Sequence, residues 1–200
     1  EEHMGMNPLP SVPGELNNIV KEGDNDEAGV LPGIVKLNSE FTAQSLLDTL
    51  KEKAYPAVHL ASHFIFKAAG TDQDSFLLLG DGGGLTLARI RDEFDFQGID
   101  MLTLSACETG MGSVGADGRE IEGFGVLAQK KGAKSVIATL WPVTDKSTGL
   151  FMQTMYRIHA ENPDMTKSEA VREAQLTLLK NRQFSHPHYW APFILLGNWL

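Results

Sequence analysis

Met101-Leu-Thr-Leu-Ser-Ala-Cys-Glu-Thr-Gly110 decides how this 200-residue chain is read. With Ile99, its first half is an apolar run that predicts a buried strand. Its second half breaks into a loop punctuated by Gly110, Gly112, Gly115 and Gly118. The only cysteine of the chain, Cys107, sits at that break. Open α/β sheets bind ligands outside the carboxyl ends of their strands. A thiol placed there is a potential nucleophile, although a free cysteine is also often no more than a small buried hydrophobe. One strand earlier, Val58-His-Leu-Ala-Ser-His63 ends the same way, on a histidine. The two strand ends predict that Cys107 and His63 meet as a thiol–imidazole dyad.

The chemistry of such a pair is simple. A thiol with a pKa of about 8.5 is only a few per cent thiolate at neutral pH, and a nearby imidazole can take its proton. Attack on a carbonyl then creates an oxyanion that needs N–H donors. The backbone N–H groups of Cys107 and Phe64 are the expected donors, because residues just past a strand end lack ladder partners. His63 is equally compatible with a hydrogen-bonded core or loop histidine. His59, four residues earlier and on the same face of a regular strand, suits internal support. Glu108 and Asp145 are the acidic residues nearest the expected cleft. Either suits a basic substrate side chain. Asp145 also suits a helix N-cap, and Glu108 a hydrogen bond within its own loop. His186 and His188 flank Pro187, but no further metal ligands can be placed beside them, and His159 reads as a helix C-terminal residue.

Working outward, residues 1–14 carry Pro8, Pro10 and Pro13 and read as an irregular lead-in. A short helix is expected over Glu15 to Glu22, a strand over Ile34 to Leu37, a helix over Thr42 to Lys53 and a strand over Ala57 to Ser62. Phe64-Ile-Phe66 and Phe76-Leu-Leu-Leu79 flank a polar segment and predict a hairpin. Gly80-Asp-Gly-Gly-Gly84 predicts a turn. It lacks the Gly-Lys-Ser/Thr ending of a phosphate loop. A helix is expected over Leu85 to Asp92, capped near Thr86. Asp117-Gly-Arg-Glu120 and Thr166-Lys-Ser-Glu169 read as capping boxes. Ser135 to Leu140 predicts another buried strand, Asp145 a helix cap, and Pro192 to Leu196 a last strand. Continuous apolar strands separated by helices predict an α/β fold, with a mostly parallel sheet covered on both faces.

The 42% apolar content is that of an ordinary globular chain. A formal charge of −9 with no long basic run argues against a general nucleic-acid binder. One cysteine makes no intrachain disulfide, so a reducing cytosol is the simplest compartment. No run approaches the ~18 apolar residues of a membrane span, and neither a membrane nor a nucleic-acid partner is expected.

His-Leu-Ala-Ser-His63, Leu-Ser-Ala-Cys-Glu-Thr-Gly110, Gly-Ala-Lys-Ser-Val-Ile-Ala-Thr-Leu-Trp-Pro-Val-Thr-Asp145 and Tyr-Trp-Ala-Pro-Phe-Ile-Leu-Leu-Gly197 together resemble the CHAT domain. This is a caspase-like peptidase domain often joined to tetratricopeptide repeats in bacteria. The resemblance implies a caspase-like sheet sandwiched between helices, with a β-hairpin inserted after the strand that carries the catalytic histidine. It implies His63 as that histidine and Cys107 as the nucleophile of an endopeptidase acting on protein or peptide. No metal or organic cofactor is implied. Control by an attached sensor, such as a tetratricopeptide-repeat region, is implied.

Two departures stand out. Related enzymes carry His-Gly where this chain has His63-Phe64, and the larger residue is expected to narrow the cleft. Relatives also have a strand ahead of the matching segment, so the first core strand is expected to be absent and the chain to be a fragment. Residues 15–200 are then one domain behind the 1–14 lead-in. The alternative reading is a catalytically silent binding or scaffold module with the same fold.

Overall fold

The computed structural model describes residues 4–21, 23, 26–65, 67, 70–105, 119–141 and 143–200, with the side chains of 119–122 outside that description. In chain order its elements are α1 (Val12–Ile19), β1 (Val20–Lys21), β2 (Leu31–Pro32), a 3₁₀ turn (Asn38–Glu40), α2 (Ala43–Glu52), β3 (Ala57–Ala61), β4 (Phe64–Ile65), β5 (Phe76–Leu78), β6 (Gly84–Thr86), α3 (Leu87–Glu93), β7 (Met101–Ser105), α4 (Arg119–Lys130), β8 (Ser135–Thr139), α5 (Asp145–Glu161), α6 (Lys167–Lys180), α7 (Pro187–Trp190) and β9 (Phe193–Gly197). The chain folds as two units. One comprises Glu1–Pro8, Leu37–Pro142 and Leu196–Asn198; the other comprises Leu9–Lys36, Val143–Leu195 and Trp199–Leu200.

The first unit is built on a sheet of order β3-β7-β8-β9. β3 pairs with β7 in parallel, from Ala57↔Met101 to Ala61↔Ser105. β7 pairs with β8 in parallel, from Met101↔Ser135 to Thr103↔Ile137. All five residues of β7 and all five of β8 are buried, on both alternating faces. Burial on both faces is why these strands read as unbroken apolar runs rather than as alternating ones. Leu102 and Leu104 enter a core shared with Leu47 of α2, Ile90 of α3 and Phe124 of α4. Each such side chain contributes about 1.5–3 kcal/mol by leaving water.

The expected hairpin is present, with Phe64↔Leu77 and Ile65↔Phe76 in antiparallel register. It gains a third strand where the sequence predicts turn and helix. β6 pairs with β5 at Leu77↔Leu85 and Leu78↔Gly84. A Cβ at Gly84 would stand 2.7 Å from the Phe76 ring, so only glycine lets this edge close. The helix that follows begins at Leu87, and the Thr86 hydroxyl accepts the Arg89 N–H at 3.1 Å.

In the second unit α5 buries Phe151, Met152, Met155 and Tyr156, while α6 buries Ala170, Val171, Ala174 and Leu178. Ala170 and Ala174, four apart and fully buried, share one face of α6, and α6 packs against α5. Phe151 stacks on Phe193 with ring centroids 3.7 Å apart. The capping box expected at Thr166 forms. The Thr166 hydroxyl accepts the Glu169 N–H at 3.3 Å, and the Thr166 N–H donates to the Glu169 carboxylate at 2.9 Å. Thr166→Ala is expected to destabilise the protein by about 1 kcal/mol, measurable by urea unfolding. The Thr166 backbone N–H, and after it the hydroxyl, hold the Glu169 carboxyl below its ordinary pKa. That contribution is therefore present at neutral pH and is lost as pH falls through the lowered value.

Three boundaries differ from expectation. The first helix is Val12–Ile19 rather than Glu15 to Glu22, because Pro13 fits its first turn; residues 12–14 thus leave the irregular lead-in. No strand forms over Ile34 to Leu37. Ile34 is half exposed, so its apolar side chain was no core signal. The short strand lies instead at Leu31–Pro32, parallel to Val20–Lys21. Finally, α5 is capped by Thr144, not Asp145. Thr144 has the extended backbone of a cap and accepts the Ser147 N–H at 3.3 Å.

Candidate active site

The chain leaves the parallel β3–β7 pair at Ser62. The Ser62 N–H donates to the Ser105 carbonyl at 3.3 Å, one step beyond the last β3–β7 pair. His63 follows, 5% exposed, and the Leu78 N–H of the hairpin donates to its carbonyl at 2.8 Å. His63 is thus held by its backbone between two sheets of the same unit. Its ring is oriented separately: Nε2 lies 2.8 Å from the Asn7 carbonyl oxygen. A carbonyl only accepts, so Nε2 carries the proton. In neutral His63, Nδ1 is then the basic nitrogen.

The Asn7 carbonyl is a partner of His63 that the sequence does not announce. A backbone carbonyl has no side-chain signature. The one available hint was Pro8, which keeps the preceding residue extended.

Phe64 corrects an expectation. Its side chain is 4% exposed and meets Phe124 edge-on, with ring centroids 5.7 Å apart and planes at 67°. The ring is part of the buried core and lines no cleft among the described residues. Its N–H has a different outlook. The bond from Leu78 N–H to His63 carbonyl makes 63/78 the hydrogen-bonded pair of the ladder. Alternation then makes Phe64/Leu77 a non-bonded pair, with the Phe64 N–H directed away from β5.

Cys107 and Glu108 lie outside the described residues, as does Asp117 of the expected capping box. The parallel register still relates the two strands. Ala61 is opposite Ser105, and His63 and Cys107 each follow two residues later in the sequence. His59 lies within β3, half-buried, opposite Thr103. Asp145, in the second unit, accepts the Ser11 N–H on one carboxylate oxygen at 2.6 Å. The His186 side chain caps α7 by accepting the His188 N–H at 3.2 Å. His159 does lie in the last turn of α5. Among the described residues no group of three or more His, Cys, Asp or Glu stands together as a metal site. No described helix is long and apolar enough to cross a membrane.

The CHAT domain family matches residues 1–198, which run through both units. The chain belongs to the CHAT domain family. Two curated relatives are similar to part of this CHAT domain. Tetratricopeptide repeat protein 28 of Mus musculus is 30% identical over 100 residues, and its namesake from Homo sapiens is 30% identical over 93. These matches take in 50% and 44% of this chain and about 4% of each relative's length.

Proposed function

We propose that this CHAT domain is a caspase-like cysteine endopeptidase with Cys107 as nucleophile and His63 as general acid–base. The observation that supports it best is the β3–β7 register, which gives His63 and Cys107 equal offsets beyond one paired position of adjacent parallel strands. The Asn7 carbonyl completes the arrangement expected of an activated nucleophile, a base oriented by a third group. With Nε2–H committed to Asn7, Nδ1 takes the thiol proton.

The thiolate attacks the scissile carbonyl carbon, and the resulting oxyanion is stabilised by the N–H groups of Phe64 and Cys107. As the C–N bond breaks, the Nδ1 proton passes to the leaving amine, leaving a thioester. Water, deprotonated by Nδ1, then attacks the thioester carbonyl. Acid is released and the thiol is restored. The occupant of the site is a protein or peptide segment. Glu108 is the proposed receiver of a basic side chain before the cut; Asp145 belongs to the second unit, where one of its carboxylate oxygens accepts the Ser11 N–H. The relatives' name supports control through a tetratricopeptide-repeat region joined to or associated with this domain.

A peptide library read by mass spectrometry tests the reaction. Cleavage that disappears after iodoacetamide treatment is expected, with basic residues favoured before the cut. Lack of cleavage, together with a thiol that alkylates like free cysteine, would leave a binding or scaffold module. An acidic preference would remove the role given to Glu108. Deleting residues 1–8 removes the Asn7 carbonyl and is expected to lower kcat about ten- to a hundredfold at little changed KM, because an unoriented base samples wrong tautomers and positions. Initial rates on the best library peptide measure this.

A further inference from the structure

Ser62 makes one hydrogen bond to each of the two sheets that meet beside His63. Its N–H reaches the carbonyl of Ser105, the last residue of β7. Its hydroxyl donates to the carbonyl of Leu78, the last residue of β5, at 2.6 Å. Leu78 in turn donates its N–H to the His63 carbonyl at 2.8 Å. The hydroxyl therefore closes a short loop of bonds around the peptide unit that carries His63.

We propose that Ser62 is a positioning residue for the Cys107–His63 pair, setting the imidazole's place relative to the end of β7. The inference rests on the dyad reading given above. The need for a hydroxyl follows from the chain path. β3 pairs in parallel with β7, and β4 pairs antiparallel with β5 in a separate sheet. A backbone N–H serves the first, already spent on Ser105, and only a side-chain donor remains for the second. Alanine keeps the bond to β7 and loses the bond to the hairpin. The His63 backbone is then anchored to the hairpin through Leu78 N–H alone. An error of about 1 Å in a reacting group costs on the order of a hundredfold, so a smaller drift is enough to weaken the pairing of imidazole with thiol. Threonine retains the hydroxyl.

Alkylation by iodoacetamide reads the pairing directly, because Cys107 is the only thiol in the chain. Over about pH 5–9 the wild-type rate is expected to show an inflection below the ~8.5 of free cysteine, and His63→Ala to move it back toward that value. Ser62→Ala is expected to raise the inflection by about one unit and to slow alkylation at about pH 6 roughly tenfold. Ser62→Thr is expected to return within about threefold of wild type. A Ser62→Ala profile that superimposes on wild type overturns the positioning role and leaves the dyad standing. A wild-type profile that superimposes on His63→Ala overturns both. Amide hydrogen exchange in the wild type needs no variant: slow exchange of the Ser62 and Leu78 N–H groups is expected, and exchange at the unprotected rate overturns the inference.

Discussion

His63→Ala is expected to lower peptide hydrolysis by about 10³–10⁴-fold, the range carried by a positioned general acid–base. Cys107→Ala is expected to reduce it to the level without enzyme. The double variant should be no slower than Cys107→Ala, because groups acting as one unit are not additive. Initial rates of the three proteins on one peptide decide this. The variant at 63 has a structural cost that must be separated from the chemical one, since alanine leaves the Asn7 carbonyl without its ring donor. His63→Gln keeps an N–H donor while removing the titratable nitrogen. If the loss is chemical, the glutamine variant is as inactive as alanine but more stable in urea. Multiplicative losses in the double variant would mean that the two residues act separately, and the proposed mechanism would fail.

How much of this was legible beforehand depends on where each signal lives. β7 and β8 were readable because burial on both faces leaves no polar alternation, and their parallel course followed from the helix between them. The Thr166 cap was readable because a hydroxyl and a carboxylate three residues apart have one common use. β6 was not, because its evidence is the space that Gly84 leaves for the Phe76 ring, and a cross-strand distance is invisible in one strand's residues. Ile34 misled in the opposite way, as an apolar residue that folding leaves in water. At the candidate site, His63 was found by its position at a strand end. Its partner Asn7 acts through the main chain, 56 positions away, where side-chain chemistry gives no sign. The shift of the α5 cap from Asp145 to Thr144 has a related cause. Both residues can cap, and the choice falls on Thr144 while the Asp145 carboxylate takes a distant N–H, that of Ser11.

Phe124→Ala is expected to cost about 3–5 kcal/mol, the range for truncating a fully buried aromatic ring. The ring is 1% exposed in a core formed by α2, α3, α4 and the sheet. Its removal forfeits transfer energy, leaves a cavity, and breaks the edge-on contact with Phe64, itself worth about 0.5–1.5 kcal/mol beyond area. The cost should not stay in the core. β4 is two residues long, so few ladder bonds fix Phe64, and its packed ring is the main restraint on the residue after His63. Without Phe124, the Phe64 N–H and the His63 backbone gain freedom together. The variant should therefore lose kcat more than KM even at temperatures where it is fully folded. Phe124→Leu fills most of the space and is expected to lose about 1–1.5 kcal/mol with a smaller kcat effect. Urea unfolding with an unchanged m-value gives the stabilities, and rates on one peptide give the activities. A loss below about 1 kcal/mol for alanine would show that neighbouring side chains collapse into the vacated volume. A stability loss of the expected size with unchanged kcat would show that the β4 backbone is held by its ladder and not by the ring.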